Sequence, residues 1–352
     1  MKVKLICSLM AAALMLAQPA DASKREFKKS VRYEFNIDQN TLLEIVNRNG
    51  NIVIENTDDD HVTIEATITG RGDSDSEAEK VCTRIDLSAV MVNNKITVGA
   101  EVPQSLKYDD FDLSYAIVMP AYTNINLSNK YGNVVADCLQ GKTTLKVSYG
   151  SLKIKRLDDK TGGFPVVELA YSRESEISEM NIGGINVSYS GITVDHGQAV
   201  AVSSKYSKLM MGEVASMAIE SAYDNISIAN AEKIDLSTRY TKVNVGFLKQ
   251  MASIDIEYGS ISIGGVGHNF KNIGVNAKYT DTDIDLVGMR NYSFDLKTKY
   301  GNITTPNRNL VYQEQALHDG YKTAKGRSGN ANEGGKITVS AKYGNIKVKN
   351  DK

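Results

Sequence analysis

Three groups of carboxylates have the residue types that chemistry would need. Asp281, Asp283 and Asp285 alternate along one stretch and would share one face of a strand. Such a row suits calcium, or a carbohydrate-cleaving site with its clustered acids. Asp109, Asp110 and Asp112 form a second acidic patch. Asp73, Asp75 and Glu77 begin like a calcium loop, but the run passes into a helix-forming stretch without the remaining ligands. A solvated face accounts for each group, so no metal site is expected. His61, His196, His268 and His318 are scattered, and no H-E-x-x-H, G-x-S-x-G or Walker A pattern occurs. Gly264-Gly265-Val266-Gly267 has no helix after it to hold a nucleotide. The chain therefore reads as non-enzymatic, with no catalytic residue and no cofactor.

The elements that would position any site come from a 352-residue chain with 41% hydrophobic and 24% charged residues, enough for a sizeable core. A formal net charge of −1 gives no electrostatic reason to expect nucleic acid as a partner. Met1 to Ala22 has the form of a secretory signal peptide. Lys2 and Lys4 precede an apolar run from Leu5 to Ala17, and Ala20 and Ala22 place cleavage before Ser23. No membrane span is expected in the mature chain. Export leaves Cys82 and Cys138, for which two readings stand: a disulfide, or two buried thiols acting as small hydrophobes.

Tyrosine supplies the organising signal. Tyr131, Tyr149, Tyr171, Tyr189, Tyr206, Tyr223, Tyr240, Tyr258, Tyr279 and Tyr300 follow one another at intervals of 17 to 22 residues. Tyr343 comes 43 residues later. Apolar residues recur four before and three and five after each Tyr, with small or apolar residues two before it. Ile254, Ile256, Ile261 and Ile263 hold those places around Tyr258. The positions before Tyr and those after it have opposite parity, so both sets reach one core only if the chain turns between them. Gly132-Asn133, Gly150-Ser151, Gly259-Ser260, Gly301-Asn302 and Gly344-Asn345 stand at that turn and tolerate positive φ. Bulges are expected after Tyr171, where the apolar register slips to Ile177, and after Tyr279, where Thr282 replaces an aliphatic residue.

A unit this short cannot bury its apolar face alone, but a stack of such units can. The expected fold is an all-β parallel β-solenoid, or β-helix, with rungs about 4.8 Å apart and the eleven Tyr in a structural ladder. The competing arrangement is a set of antiparallel hairpins closing a propeller or barrel. In domain terms the signal peptide (1–22) precedes an N-terminal β-rich capping region (23–123), and the repeats fill 124–352 with a polar insertion at 306–335. Within the cap, Asn49-Gly50-Asn51 between Ile45 and Ile52 reads as a degenerate rung. Ser74-Asp75-Ser76-Glu77 is a capping box that opens a helix over about 75–86. A hairpin turns at Asn93-Asn94, and an alternating strand runs from Phe111 to Met119 before Pro120.

The Tyr-Gly-Asn and Tyr-Gly-Ser units, the strand ending at Pro120 and the Asn49-Gly50-Asn51-Ile52 unit together resemble the bacterial putative-adhesin β-strand-repeat family, a family of unknown function in exported Bacteroidetes-type proteins. The resemblance spans about residues 30–350 and implies a β-helical protein of the cell envelope, in the periplasm or else on the surface. It carries over no catalytic residues, and fold alone does not fix function. The expected role is a scaffold for adhesion or protein contact, with a protein or glycan partner at the envelope. A glycan-binding or carbohydrate-active β-helix using Asp281, Asp283 and Asp285 is one alternative. A periplasmic regulatory partner of an envelope signalling system is the other.

Overall fold

The computed structural model describes residues 24–306, 310–330 and 334–350. The signal segment and its cleavage point at Ala22 and Ser23 lie outside the described residues. Among the described residues the structure is all-β with one short α-helix, its strands mostly parallel in a solenoid-like arrangement. The described residues form two compact units, divided between Arg173 and Glu174.

In the first unit, Leu42–Arg48, Asn124–Lys130, Thr143–Ser148 and Val166–Ala170 pair side by side in parallel. Beyond the corner, Ile52–Asn56, Val134–Leu139 and Leu152–Leu157 do the same. The strands around the Tyr units thus pair in parallel rather than as antiparallel hairpins. The unit turning at Asn49 lies directly beside the unit turning at Tyr131, although 82 residues separate Asn47 from its neighbour Asn129. The intervening chain makes an excursion. His61–Gly72 pairs antiparallel with both Arg25–Asn36 and Phe111–Met119, and Phe111–Met119 runs parallel to Ile52–Asn56. Asp86–Val92 and Lys95–Glu101 form the hairpin at Asn93-Asn94, whose φ values of 49 and 58° suit its tight turn. The helix spans Asp75–Thr83, shorter than expected, because Arg84 caps it by donating its N–H to the Val81 carbonyl. The Ser74 side chain accepts from the Glu77 N–H, and Glu77 accepts in return from the Asp73 N–H.

In the second unit, Ser175–Ser188, Gly191–Lys205, Lys208–Ala222, Asn225–Arg239 and Lys242–Glu257 pair in parallel and in sequence order. Branched aliphatic side chains fill the interior at alternate positions: Ile192, Leu209, Ile226 and Val243 are each at most 2% exposed. Sequence order then breaks. Asn272–Lys278 pairs with Gly335–Lys342, which pairs in turn with Tyr292–Lys299. The last Tyr unit in sequence therefore lies between two earlier ones. The segment read as a polar insertion at 306–335 contains an antiparallel hairpin, Leu310–His318 with Tyr321–Ser328. Its second strand pairs antiparallel with Tyr292–Lys299. Asp319-Gly320, at φ 47 and 78°, makes the turn and is the sequence signal that marks it.

The bulge expected at Thr282 is absent. Thr282 stands in register with Ile261 and Ile346 and is 1% exposed, its β-branched shape filling an aliphatic place. Its Oγ1 is buried without a hydrogen-bond partner. After Tyr171 the slip is taken up at Glu174, a further positive-φ residue at 55°.

Candidate functional site

The tyrosines make the corners themselves. All eleven, from Tyr131 to Tyr343, have φ between 51 and 62°, and Asn49 holds the equivalent place at 72°. The glycines that follow tolerate positive φ, but it is Tyr that takes the left-handed conformation. That conformation costs an L-residue about 1–2 kcal/mol, and it turns the chain so that the residues on both sides of the corner face one core.

The glycines answer a different constraint. A Cβ on Gly150 would lie 1.9 Å from the Gly132 carbonyl oxygen, and one on Gly132 1.8 Å from that of Gly50. Gly344 approaches Thr280 in the same way at 2.0 Å. Where the residue after Tyr is not Gly, it is a buried hydroxyl or carboxyl that bonds inward. Ser207, Thr241 and Thr280 donate to the carbonyl two residues back at 2.8, 2.8 and 3.0 Å. The same oxygens accept from the preceding corner: Ser190 N–H donates to Ser207 Oγ at 3.3 Å and Asp224 N–H to Thr241 Oγ1 at 3.2 Å. Asp224 takes its turn by accepting from Ser207 N–H at 2.6 Å and from Ser204 Oγ. It is 6% exposed, and burial raises its carboxyl above the ordinary range against the pull of those hydrogen bonds.

The rings leave the corners on the outside and stack. In the first unit the centroids of Tyr131, Tyr149 and Tyr171 are 5.0 and 4.8 Å apart. In the second, Tyr189, Tyr206, Tyr223, Tyr240, Tyr258 and Tyr279 follow at 4.8–5.0 Å with interplanar angles of 16° or less. Tyr343 and Tyr300 continue that row at 4.7 and 5.1 Å. Each of these tyrosines is 40–54% exposed. Neighbouring rings cover one another's faces, leaving ring edges to solvent. The Asn49 corner has no ring, and Tyr108 arrives there from the excursion, 6.4 Å from Tyr131 with the Arg48 guanidinium 3.9 Å over it.

Cations flank the tyrosines of both units, a feature the sequence reading passed over. Lys130, Lys205, Lys278, Lys299 and Lys342 each immediately precede a ladder Tyr, and this recurring Lys-Tyr pair was the available signal. The ammonium groups of Lys130, Lys205, Lys299 and Lys342 lie 5.0–5.4 Å from the ring that follows. Outside the corner, polar side chains link rungs: Asn133 Oδ1 accepts from Ser151 N–H at 2.9 Å, and Asn345 Oδ1 from Asn302 N–H at 3.0 Å.

Six of the nine acidic residues singled out for chemistry hold structural contacts. Asp281 Oδ1 accepts from Asn345 N–H and Nδ2 at 2.8 and 3.1 Å, Asp283 pairs with Lys349 at 2.6 Å, and Asp285 accepts from Val287 N–H. Asp110 pairs with Lys24, which holds its carboxyl below the usual range, and Asp112 pairs with Arg71. Glu77 caps the helix. No group of three or more metal-ligating side chains occurs among the described residues. His196 stands 3.9 Å from Glu213 and His318 2.8 Å from Asp319, both exposed, and nothing joins them into one site. The disulfide reading is corrected as well: Cys82 and Cys138 are free thiols. Cys82 Sγ is directed at the carbonyls of Phe27 and Ile68, at 3.3 and 3.7 Å, beneath the helix. Cys138 lies on a strand whose backbone is tied to Asn56. Burial raises both thiols above their ordinary range. No helix among the described residues is long and apolar enough to cross a membrane.

No protein-family model and no curated protein matches the chain. Solved structures do. A putative adhesin from Parabacteroides merdae is 14% identical, covering 72% of this chain and 91% of its own, with a TM-score of 0.30. One from Parabacteroides distasonis is 13% identical over 73% and 92%, at 0.29. A putative cell adhesion protein from Clostridium sporogenes is 8% identical over 93% and 100%, at 0.19. The chain is thus similar to solved all-β structures described as putative adhesins.

Proposed function

We propose that this chain is an exported, non-enzymatic β-solenoid scaffold that acts by contact at the cell envelope, as an adhesin or as a protein-interaction module. The region at 23–123 is read as a cap on the first unit's stack, and the repeats within each unit present a regular surface. The observation that carries this reading is the corner itself. Left-handed Tyr, close-packed Gly and inward Ser, Thr or Asp spend their chemistry on holding rungs in register. In the Asp281, Asp283 and Asp285 row, the best catalytic candidate, the first two are bound up in cross-rung contacts and the third in a local turn. A surface of this kind suits adhesion more than turnover.

Protease shaving of intact cells tests the reading. Fragments released from intact cells support an adhesive surface protein. Protection that ends when the outer membrane is opened supports a periplasmic contact module. Retention with the cytoplasmic fraction overturns export and the reading with it.

A further inference from the structure

Three lysines stand side by side at one end of the second unit's tyrosine row. Lys278 is in register with Lys342, and Lys342 with Lys299. Like charges directly opposite on adjacent strands repel, and a fold optimised for stability alone would avoid them. Glu257 neutralises Lys278 at 3.2 Å, but no ion pair reaches Lys299 or Lys342 among the described residues. Lys322 adds a fourth ammonium nearby by donating to Asn302 Oδ1. Beside the lysines run the exposed edges of Tyr279, Tyr343 and Tyr300, and Lys299 also lies 4.6 Å from the Tyr321 ring. Of the acids close by, Asp281 is engaged with Asn345.

We infer that this edge binds a linear acidic polysaccharide, its carboxylate or sulfate groups on Lys278, Lys342 and Lys299 and its hydroxyls on the tyrosine edges. The inference rests on the scaffold reading above and names its ligand class. Charge complementarity gives the sign of the ligand, since a polyanion would relieve the repulsion among the lysines. Spacing gives its class. Cations and ring edges repeat at one rung, about 4.8 Å, which is close to the advance of a chain per sugar ring. An extended peptide places side chains of one face about 6.6 Å apart and falls out of step. Single-stranded nucleic acid needs open aromatic faces on which to stack its bases, and here each ring covers the next.

The experiment titrates the mature full chain with dextran sulfate, polygalacturonate, neutral dextran, polyglutamate and single-stranded DNA at low and moderate salt. The two acidic polysaccharides are expected to bind, and to weaken as salt rises. Lys299→Gln/Lys342→Gln should weaken them at least tenfold, and Tyr343→Phe, which keeps the ring and loses the hydroxyl, two- to fivefold. Lys153→Gln/Lys155→Gln, on a strand of the first unit, should leave binding unchanged. The lysine variant removes a repulsion together with the ring contacts of Lys299 and Lys342, two small and opposed effects, and should melt within a few degrees of the parent, so loss of binding well below both melting temperatures cannot be laid to unfolding. Undiminished binding by that variant overturns the inference, as does equal or tighter binding of polyglutamate, DNA or neutral dextran. If these results go against it while shaving still releases fragments from intact cells, the ligand falls and the scaffold reading stands.

Discussion

Tyr279 and Tyr343 stack at 4.7 Å with an interplanar angle of 9°, although most of the chain's last quarter runs between them. Tyr343 covers Tyr300 on its other side at 5.1 Å. It thus shows how stacking offsets a strained backbone. Two ring contacts at about 0.5–1.5 kcal/mol each are comparable with the cost of one left-handed residue, about 1–2 kcal/mol. Tyr343→Ala keeps the strain and loses the rings, and should destabilise by about 1–3 kcal/mol. Tyr343→Gly also loses the rings but relaxes the backbone, and should recover about 1 kcal/mol of that loss. Chemical denaturation of the two variants gives the comparison. A glycine variant no more stable than the alanine one would show that the corner is not strained.

Gly150 and Gly99 test the close approach at the corners. Ala at 150 would drive its Cβ into the Gly132 carbonyl, whereas a Cβ at 99 meets nothing within 4 Å. Gly150→Ala should cost about 3 kcal/mol or more, and Gly99→Ala should stay within about 0.5 kcal/mol of the parent. Thermal melts of the two single variants separate the cases. Equal melting temperatures would remove steric exclusion as the reason for glycine.

Asp224 should give stability a pH dependence of definite sign. Burial raises its folded-state value above the unfolded one, so the folded chain holds this proton more tightly. Its contribution is full below the unfolded carboxylate range and is lost as pH rises through the folded value. Asp224→Asn keeps an acceptor for Ser207 N–H and cannot ionise. The stability of the parent relative to this variant should therefore fall as pH rises from acid towards neutrality, read from denaturation midpoints across that range. A difference that is flat or rises would show that the hydrogen bonds from Ser204 and Ser207 outweigh desolvation.

Cys82 and Cys138 should behave as unreactive thiols in the folded protein, because burial disfavours the thiolate in both. A thiol-modifying reagent should label both promptly after denaturation and slowly before it. Intact mass of the protein purified without reductant should be that of two free thiols. A mass lower by two hydrogens would show that the pair closes in the cell.

Much of the architecture was legible because strand chemistry is local. Alternation around each Tyr sets which side chains face inward, and opposite parity across it requires a turn. The capping box at Ser74 and Glu77 and the Asn93-Asn94 turn depend on residues a few places apart, so they too could be read directly. The helix end was harder to place, since Ile85 continues the apolar spacing past Arg84 and is buried as part of the following structure instead. Asp319-Gly320 announced a hairpin inside a stretch whose polar composition concealed it. That hairpin is almost fully exposed along Leu310–His318, so no alternation of burial marks the strand.

The candidate site was legible only in part. The period of the tyrosines implied that they would fall on one line, and the Lys-Tyr pairs were visible beside them. What a run of residues does not disclose is contact between rungs. Gly132 is required by Gly50, and the register of Lys278, Lys342 and Lys299 brings together residues from three separated segments.

By itself, then, the sequence determined the strand period, the inward face and the need for a corner at each Tyr, because these follow from bonds and side chains within one unit. Tertiary structure decided that Tyr rather than Gly takes positive φ, that the last unit enters between two earlier ones, and that the acidic row is absorbed by its neighbours. Those outcomes depend on which backbone lies one rung away. That choice is made by burial and hydrogen bonding across the stack, and it leaves no local trace in the order of residues.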